Sequence, residues 1–161
     1  RGGGFASGRP GGAGFEREAT ALAPLAGQYS LAHESGRASF ADAGVFATRV
    51  VAVKTWQDRT IAVCDGGLSH AFLLAQTESV MRRLAAPSLV RRSPAQPARG
   101  VPTIYVGSTC TRADVIGRDD TSAPPQVGDI AVFARCGPYH RTHSMAHFLS
   151  HEAPHVYVRP A

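Results

Sequence analysis

Residues 45–67 read VFATRVVAVKTWQDRTIAVCDGG, and this stretch decides the fold class. Val45–Val53 is rich in β-branched residues that partly alternate with polar ones, and Arg59–Cys64 repeats the pattern. Asp65-Gly66-Gly67 follows directly and is a strong turn signal. The stretch therefore predicts two strands that end in a tight turn.

Further strands are predicted downstream, at Thr103–Val106, Gly128–Ala134 and His155–Arg159. Between them, Gln76–Gly100 is polar, basic and rich in proline, which predicts a short helix followed by a long exposed loop. Short strands separated by turn signals favour an antiparallel β-sandwich or barrel. We expect this β domain to cover residues 44–161, so the chain as a whole is predicted to be mainly β.

The first 43 residues follow a different pattern. A glycine cluster is followed by a predicted helix at Phe15–Gln28 and a predicted short strand at Tyr29–His33, which leads into a polar cluster. A glycine loop, a helix and a strand with polar residues at its carboxyl end are typical of a β/α (TIM) barrel. We expect residues 1–43 to be a remnant of the last β/α units of such a barrel.

Composition excludes several classes of protein. The chain has 161 residues, 43% of them hydrophobic, which is enough for a core and argues against disorder. No apolar run approaches the roughly 20 residues that a membrane span needs. The net charge is +5, but no aromatic residues interleave with the basic ones, so no nucleic-acid partner is expected. Three widely spaced cysteines favour a reducing, cytoplasmic setting.

Two patterns suggest chemistry. Val106–Asp114 follows a predicted strand and places Cys110 and Asp114 on one turn, where three roles are open for the thiol: a nucleophile, a ligand or an ordinary small apolar side chain. Five histidines recur every three or four residues from His140 to His155, which resembles a zinc-binding face. Pro154 breaks any helix before His155, and no HExxH motif is present. We therefore expect no metal site and interpret the histidines as surface or substrate-facing residues.

Several motifs in sequence order resemble the fold-type III PLP-dependent decarboxylases, the ornithine/diaminopimelate decarboxylase family. The motifs are Gly2-Gly3-Gly4-Phe5, Glu34-Ser35-Gly36-Arg37, Ala41-Asp42-Ala43-Gly44-Val45, Asp65-Gly66-Gly67, Gly107 to Asp114, Val127-Gly128-Asp129 and Gly137-Pro138-Tyr139. The resemblance covers nearly the whole chain and implies the C-terminal part of such an enzyme, with pyridoxal 5'-phosphate (PLP) as its cofactor.

The resemblance also implies roles for individual residues. Gly2, Gly3, Gly4, Gly36 and Arg37 would contact the cofactor phosphate, with Tyr139 nearby, and Glu34 would pair with the pyridine nitrogen. Cys110 and Asp114 would be catalytic, in a loop that enters the active site of the partner subunit. There the Cys110 thiol would donate a proton after CO₂ leaves. The implied assembly is a homodimer with shared active sites.

Departures from the family pattern bear on substrate and activity. Thr111 stands where diaminopimelate decarboxylases carry a glutamate, and Pro138 replaces the usual alanine. The Cys110-Thr111 pair and Phe148 to His151 look more like the branch associated with acyl-CoA ligases, carrier proteins and exosortase clusters. That likeness implies an amino-acid substrate, free or linked to a carrier.

The lysine that forms the Schiff base with PLP in this family is absent, and Lys54 cannot replace it because it lies at the entry to the sheet domain. By resemblance, this chain alone would be an inactive part of a longer enzyme. The alternatives are a non-catalytic β module that dimerises or binds a partner and, third, a His-rich metal-binding module.

Overall fold

The computed structural model of the chain describes residues 13–32, 34, 36–75, 84–94 and 100–160. Three helices and six strands are present in these ranges. The helices are α1 (Ala13–Leu22), α2 (Gly36–Phe40) and α3 (Phe72–Ala75). The strands are β1 (Val45–Trp56), β2 (Arg59–Cys64), β3 (Ser88–Val90), β4 (Thr103–Val106), β5 (Val115–Asp119) and β6 (Ile130–Ala134). Short 3₁₀ turns occupy Ala23–Leu25, Ala41–Ala43 and Phe148–Ser150.

All six strands form one sheet in the order β3-β6-β1-β2-β4-β5. The mainly β fold is confirmed, and every pairing is antiparallel except that of β2 with β4. The antiparallel pattern expected from the sequence therefore holds at every described pairing but this one. A parallel pair needs a long crossover connection. The chain between Cys64 and Thr103 supplies that connection.

The sheet curls around its core. β5 and β6 are four strand spacings apart, which would be about 19 Å in a flat sheet. Nevertheless a Cβ on Gly117 of β5 would lie 2.6 Å from the Phe133 ring of β6. The Tyr105 and Phe133 rings meet edge to face with their centroids 6.2 Å apart. The concave face thus encloses the core: Val50, Ala62, Cys64, Ala71, Leu74, Tyr105, Ile116, Ala131, Phe133 and Cys136.

β1 makes the curl possible because it changes partner along its length. Val45 to Arg49 pair with β6, and Val50 to Trp56 pair with β2. The register shifts between Val50 and Ala52, which leaves Val51 as a bulge. A bulge adds one residue to one strand and bends it.

The predicted elements outside β1 and β2 had mixed outcomes. The strand at Thr103–Val106 is confirmed, and the one predicted at Gly128–Ala134 begins at Ile130. The helix predicted at Phe15–Gln28 ends at Leu22, because Pro24 has no N–H and its ring collides with the preceding turn. The strands predicted at Tyr29–His33 and His155–Arg159 are wrong, since none of their described residues joins the sheet. The loop predicted at Gln76–Gly100 contains a short edge strand, β3.

Candidate functional site

One edge of the sheet collects the predicted functional residues. β2, β4 and β6 all run in the same direction, because β2 pairs parallel with β4 and both β2 and β6 pair antiparallel with β1. Their carboxyl ends therefore share an edge with the start of β1. We call the segments there, residues 36–44, 65–70, 107–114 and 135–139, the functional edge.

The turn from Gly107 to Asp114 is organised by the Asp114 carboxylate. Asp114 is only 3% exposed. One carboxylate oxygen accepts from the Leu68 N–H at 2.7 Å, and the other accepts from the Thr109 N–H at 3.1 Å and the Thr109 hydroxyl at 2.6 Å. The carboxylate thus joins the turn to the loop after β2 while Cys110 stays exposed. This burial favours a positioning role for Asp114, and its predicted catalytic role stays a prediction.

Two glycines leave the space that the Asp114 carboxylate fills. A Cβ on Gly67 or on Gly107 would collide with the carboxylate oxygens of Asp114. Ser108 adds a second connection between the two loops, because its hydroxyl donates to the Asp65 carbonyl at 3.3 Å. The Asp-Gly-Gly turn was predicted from sequence, but its contact with the cysteine turn appears only in the structure.

The three free thiols differ sharply in environment. Burial, followed by the negative charges of Asp65 and Asp114, raises the pKa of Cys64 to about 12. Burial likewise raises the pKa of Cys136 to about 11. Cys110 is exposed on its turn. Because the thiolate is the reactive form, we infer that Cys110 is the accessible thiol of the three.

We expect iodoacetamide at pH 8 to alkylate Cys110 in the folded protein and to spare Cys64 and Cys136, since both are buried and keep their protons. Peptide mapping after a short exposure measures each site. Unfolding in urea is the control and should make all three cysteines react. Equal modification of the three in the folded protein would contradict this assignment.

Tyr139 and Gly36 form the second cluster at the functional edge. The Tyr139 phenol oxygen lies in the space that a Cβ on Gly36 would need. Tyr139 has a left-handed backbone with φ of 69°, which is unusual for an aromatic residue. Its carbonyl accepts from the His143 N–H at 3.0 Å. The Tyr139 hydroxyl thus lies against the Gly36 backbone, and because hydroxyl and backbone N–H groups both donate to phosphate oxygens, these two residues fit the predicted cofactor.

The other predicted cofactor residues are less completely placed. Glu34 is exposed, two residues before Gly36. Gly2, Gly3 and Gly4 lie outside the described residues, as does the side chain of Arg37. The cysteine turn follows β4 and Tyr139 follows β6, two strands that are three positions apart in the sheet order.

His70 is a site residue that sequence reasoning missed. Its Nδ1 accepts from the Gly67 N–H at 3.2 Å, so Nε2 carries the proton and donates to the Glu152 carbonyl at 3.1 Å. The ring also stacks on Phe46 and meets the edge of His151. A histidine three residues after a Gly-Gly turn was the available signal. Its hydrogen bonds tie the C-terminal segment to the functional edge.

A cleft of about 540 Å³ lies beside His70. Its walls come from β1, the loop after β2, Ile130 and the segment from His151 to Tyr157. Burial, and then the proximity of His151, lowers the pKa of His70. The neutral ring is therefore the form that the folded state favours.

Protonation of His70 is expected to break the hydrogen bond that its Nδ1 accepts from the Gly67 N–H. The pKa in the closed state is lowered, whereas an open loop would titrate near the ordinary value of about 6.5. The free energy of opening should be constant above that pH and fall as the pH drops below it. Hydrogen exchange of peptides covering residues 65–70, corrected for intrinsic rates, measures this.

His70→Gln should remove the pH dependence, and His147→Gln, which changes an exposed histidine, should keep it. Protection at residues 65–70 that stays constant from pH 7.5 to pH 5.5 in the unsubstituted protein would contradict the assigned tautomer.

In the part of the chain that the structure describes, no group of three or more His, Cys, Asp or Glu side chains is placed to hold a metal ion. In the same ranges, no helix is both long enough and apolar enough to cross a membrane.

Comparison with known proteins gives a family match. The model of the "Pyridoxal-dependent decarboxylase, C-terminal sheet domain" matches residues 28–137. A diaminopimelate decarboxylase of Actinosynnema pretiosum subsp. auranticum is 35% identical over 118 residues, 72% of this chain and 24% of that protein. The L-glutamyl-[BtrI acyl-carrier protein] decarboxylase of Niallia circulans is 27% identical over 122 residues, 75% of this chain and 28% of that protein. The chain thus spans about a quarter of the length of these relatives.

Solved structures show the same fold. The arginine decarboxylase of Paramecium bursaria Chlorella virus, bound to agmatine, superimposes with a TM-score of 0.75 at 20% sequence identity. The match covers 95% of this chain and 42% of the viral protein chain. The lysine/ornithine decarboxylase of Vibrio vulnificus has a TM-score of 0.69 at 18% identity, with the same coverage of 95% and 42%.

Proposed function

The chain belongs to the pyridoxal-dependent decarboxylases, matching their C-terminal sheet domain, and on that premise we propose that it is part of a PLP-dependent amino-acid decarboxylase. We assign residues 44–161 to the sheet domain and residues 1–43 to the end of a barrel that carries the cofactor. The observation that carries the proposal is the functional edge, which includes an exposed Cys110 and a Tyr139 hydroxyl packed against Gly36.

The cofactor assignment rests on Gly36 and Tyr139 of that edge and on further residues named by the resemblance. PLP, when bound, would withdraw electrons from the substrate's α-carbon as the carboxylate leaves as CO₂. The Tyr139 hydroxyl and the Gly36 backbone would hold its phosphate, aided by Gly2, Gly3, Gly4 and Arg37. Glu34, an exposed carboxylate two residues before Gly36, would pair with the pyridine nitrogen.

Cys110 is assigned the final proton transfer. Its thiol gives its proton to the α-carbon that has lost CO₂, and the thiolate then regains a proton from water. The thiol can reach a ligand because it is exposed. Asp114 keeps the turn in one conformation through its three hydrogen bonds, so its role is to position Cys110.

The substrate is an amino acid, either free or attached to a carrier protein. Two observations support this range: the relatives named above are decarboxylases of diaminopimelate and of a carrier-linked glutamyl group, and Thr111 follows Cys110 where an acid would hold a distal ammonium. The three free thiols are consistent with a cytoplasmic setting. Neither a nucleic acid nor a membrane is needed for this activity.

We further propose a homodimer in which the cysteine turn of one subunit serves the cofactor of the other. The resemblance of the turn from Gly107 to Asp114 to the family loop that enters the partner's site supports this division. Mixing Cys110→Ala subunits with subunits that lack the Schiff-base lysine should restore activity. Random pairing yields about a quarter of the wild-type activity. No recovery after verified subunit exchange would contradict shared sites.

The activity itself is tested in the intact protein after addition of PLP. We expect an absorbance band from bound PLP that borohydride abolishes, and release of CO₂ from at least one α-amino acid or carrier-linked amino acid. An intact protein that contains the lysine, yet neither binds PLP nor releases CO₂, would overturn the proposal. The chain would then be a non-catalytic β module.

A further inference from the structure

The cysteine turn exposes one charged side chain. All eight residues from Gly107 to Asp114 are described. Apart from the Cys110 thiol, Arg112 and Asp114 are the only side chains among them that carry a charge near neutral pH. Asp114 is buried, whereas Arg112 is exposed. A ligand that approaches Cys110 from solvent therefore meets a positive charge and no carboxylate from this turn.

The nearby acids accept hydrogen bonds within the protein, although Asp65 stays exposed. Both Asp114 oxygens accept hydrogen bonds inside the turn and from Leu68. One Asp65 oxygen accepts from the Thr48 hydroxyl at 2.7 Å and from the Arg49 N–H at 2.8 Å. Arg112 forms no ion pair with any residue of the described ranges. Its guanidinium keeps its charge and its planar set of donors for a ligand.

Distance places this charge within reach of a substrate. One residue, Thr111, separates Arg112 from Cys110 along the chain, so their Cα atoms are at most about 7 Å apart. If Cys110 protonates the α-carbon, the far end of a substrate with a five-carbon backbone extends a similar distance from that carbon. An ammonium at that end would be repelled by Arg112, and an anion would be attracted.

We propose that Arg112 is a specificity-determining residue that selects substrates whose end remote from the reacting carbon is anionic. This inference rests on the proposed decarboxylase function. It narrows the substrate class, because it excludes amino acids with a cationic side chain, such as lysine. The chemistry that fits this distance is the side-chain carboxylate of a free dicarboxylic amino acid such as glutamate. A guanidinium binds a carboxylate through paired hydrogen bonds.

The test compares kcat/KM for free glutamate and for lysine in the intact enzyme with PLP, and carrier-linked glutamate is included as a further test of decarboxylation itself. The wild type should have a higher kcat/KM with free glutamate than with lysine, and decarboxylation of carrier-linked glutamate alone would overturn the role of Arg112. Arg112→Glu should lower the ratio of kcat/KM for the anionic substrate to kcat/KM for lysine about tenfold or more. Arg112→Lys should retain most of that ratio. Lys54→Glu is the matched control, because it reverses the same charge on an exposed residue near the opposite edge of the sheet.

The outcomes separate this inference from the function on which it rests. A wild-type enzyme that prefers lysine, or an unchanged ratio in an active Arg112→Glu enzyme, overturns the role of Arg112 and leaves the decarboxylase proposal intact. An equal change in the Lys54→Glu enzyme also overturns it, because the effect would then reflect net charge. An intact protein that releases CO₂ from none of the substrates overturns the function and this inference together.

Discussion

Asp114→Ala should destabilise the protein by about 3 kcal/mol, because the buried Leu68 and Thr109 donors would lose their acceptor. The cysteine turn would also lose its connection to the loop after β2, so decarboxylation should fall even where the protein stays folded. Urea unfolding of the intact protein, monitored by hydrogen exchange in β2 and β4, measures the first effect. The rate of CO₂ release measures the second.

Asp114→Asn distinguishes positioning from charge. One oxygen becomes an amide donor facing the Thr109 N–H, so we expect about half the destabilisation of the alanine variant. Asp120→Ala is the control, since Asp120 is exposed and pairs only with exposed Arg118 in the described structure, an interaction worth about 1 kcal/mol or less. An Asp114→Ala protein as stable as Asp120→Ala would contradict the structural role of the buried carboxylate.

Gly107→Ala is expected to be at least as damaging. The new methyl group would occupy the position of the Asp114 carboxylate, so the carboxylate must move and its hydrogen bonds break. Overpacking of this kind costs about 1–3 kcal/mol before the lost bonds are counted. Gly67→Ala should behave similarly, since its Cβ meets the same carboxylate. The fall in the urea midpoint measures both effects.

Gly27→Ala is the matched control, because nothing lies within 4 Å of its Cβ position. This change should be nearly neutral, and a small gain in stability is expected from the reduced freedom of the unfolded chain. If Gly107→Ala and Gly27→Ala had the same urea midpoint, the close packing of the two loops on Asp114 would be wrong.

Much of the fold could be predicted from local sequence patterns. β1 and β2 were predictable because β-branched residues fit a pleated surface and Asp65-Gly66-Gly67 marks a turn. The parallel pairing of β2 with β4 was not predictable, because it depends on how the long connection between Cys64 and Thr103 packs. The strand predicted at His155–Arg159 failed for a related reason: its composition suits a strand, but no neighbour in the described chain pairs with it.

The candidate site was predictable only in part. Resemblance named Gly36 and Tyr139, and the structure brings them together through a contact that no spacing in the sequence reveals. Asp114 was named as catalytic because it shares a turn with Cys110. Its burial depends on Gly67, 47 residues earlier, whose missing Cβ leaves room for the carboxylate. His70 escaped notice because its hydrogen bond to Glu152 joins segments far apart in sequence.

The most direct test of the central claim is CO₂ release by the intact, PLP-loaded protein with and without the Cys110 thiol. Cys110→Ala should lower kcat by about 10² or more, the usual worth of a positioned proton donor, while the PLP absorbance band is unchanged. Cys110→Ser should be similarly impaired because a hydroxyl is a far weaker acid, and Asp120→Ala, which changes an exposed residue outside the turn, should be close to wild type. Wild-type rates in Cys110→Ala would contradict the claim that this chain supplies the proton donor of a PLP-dependent decarboxylase.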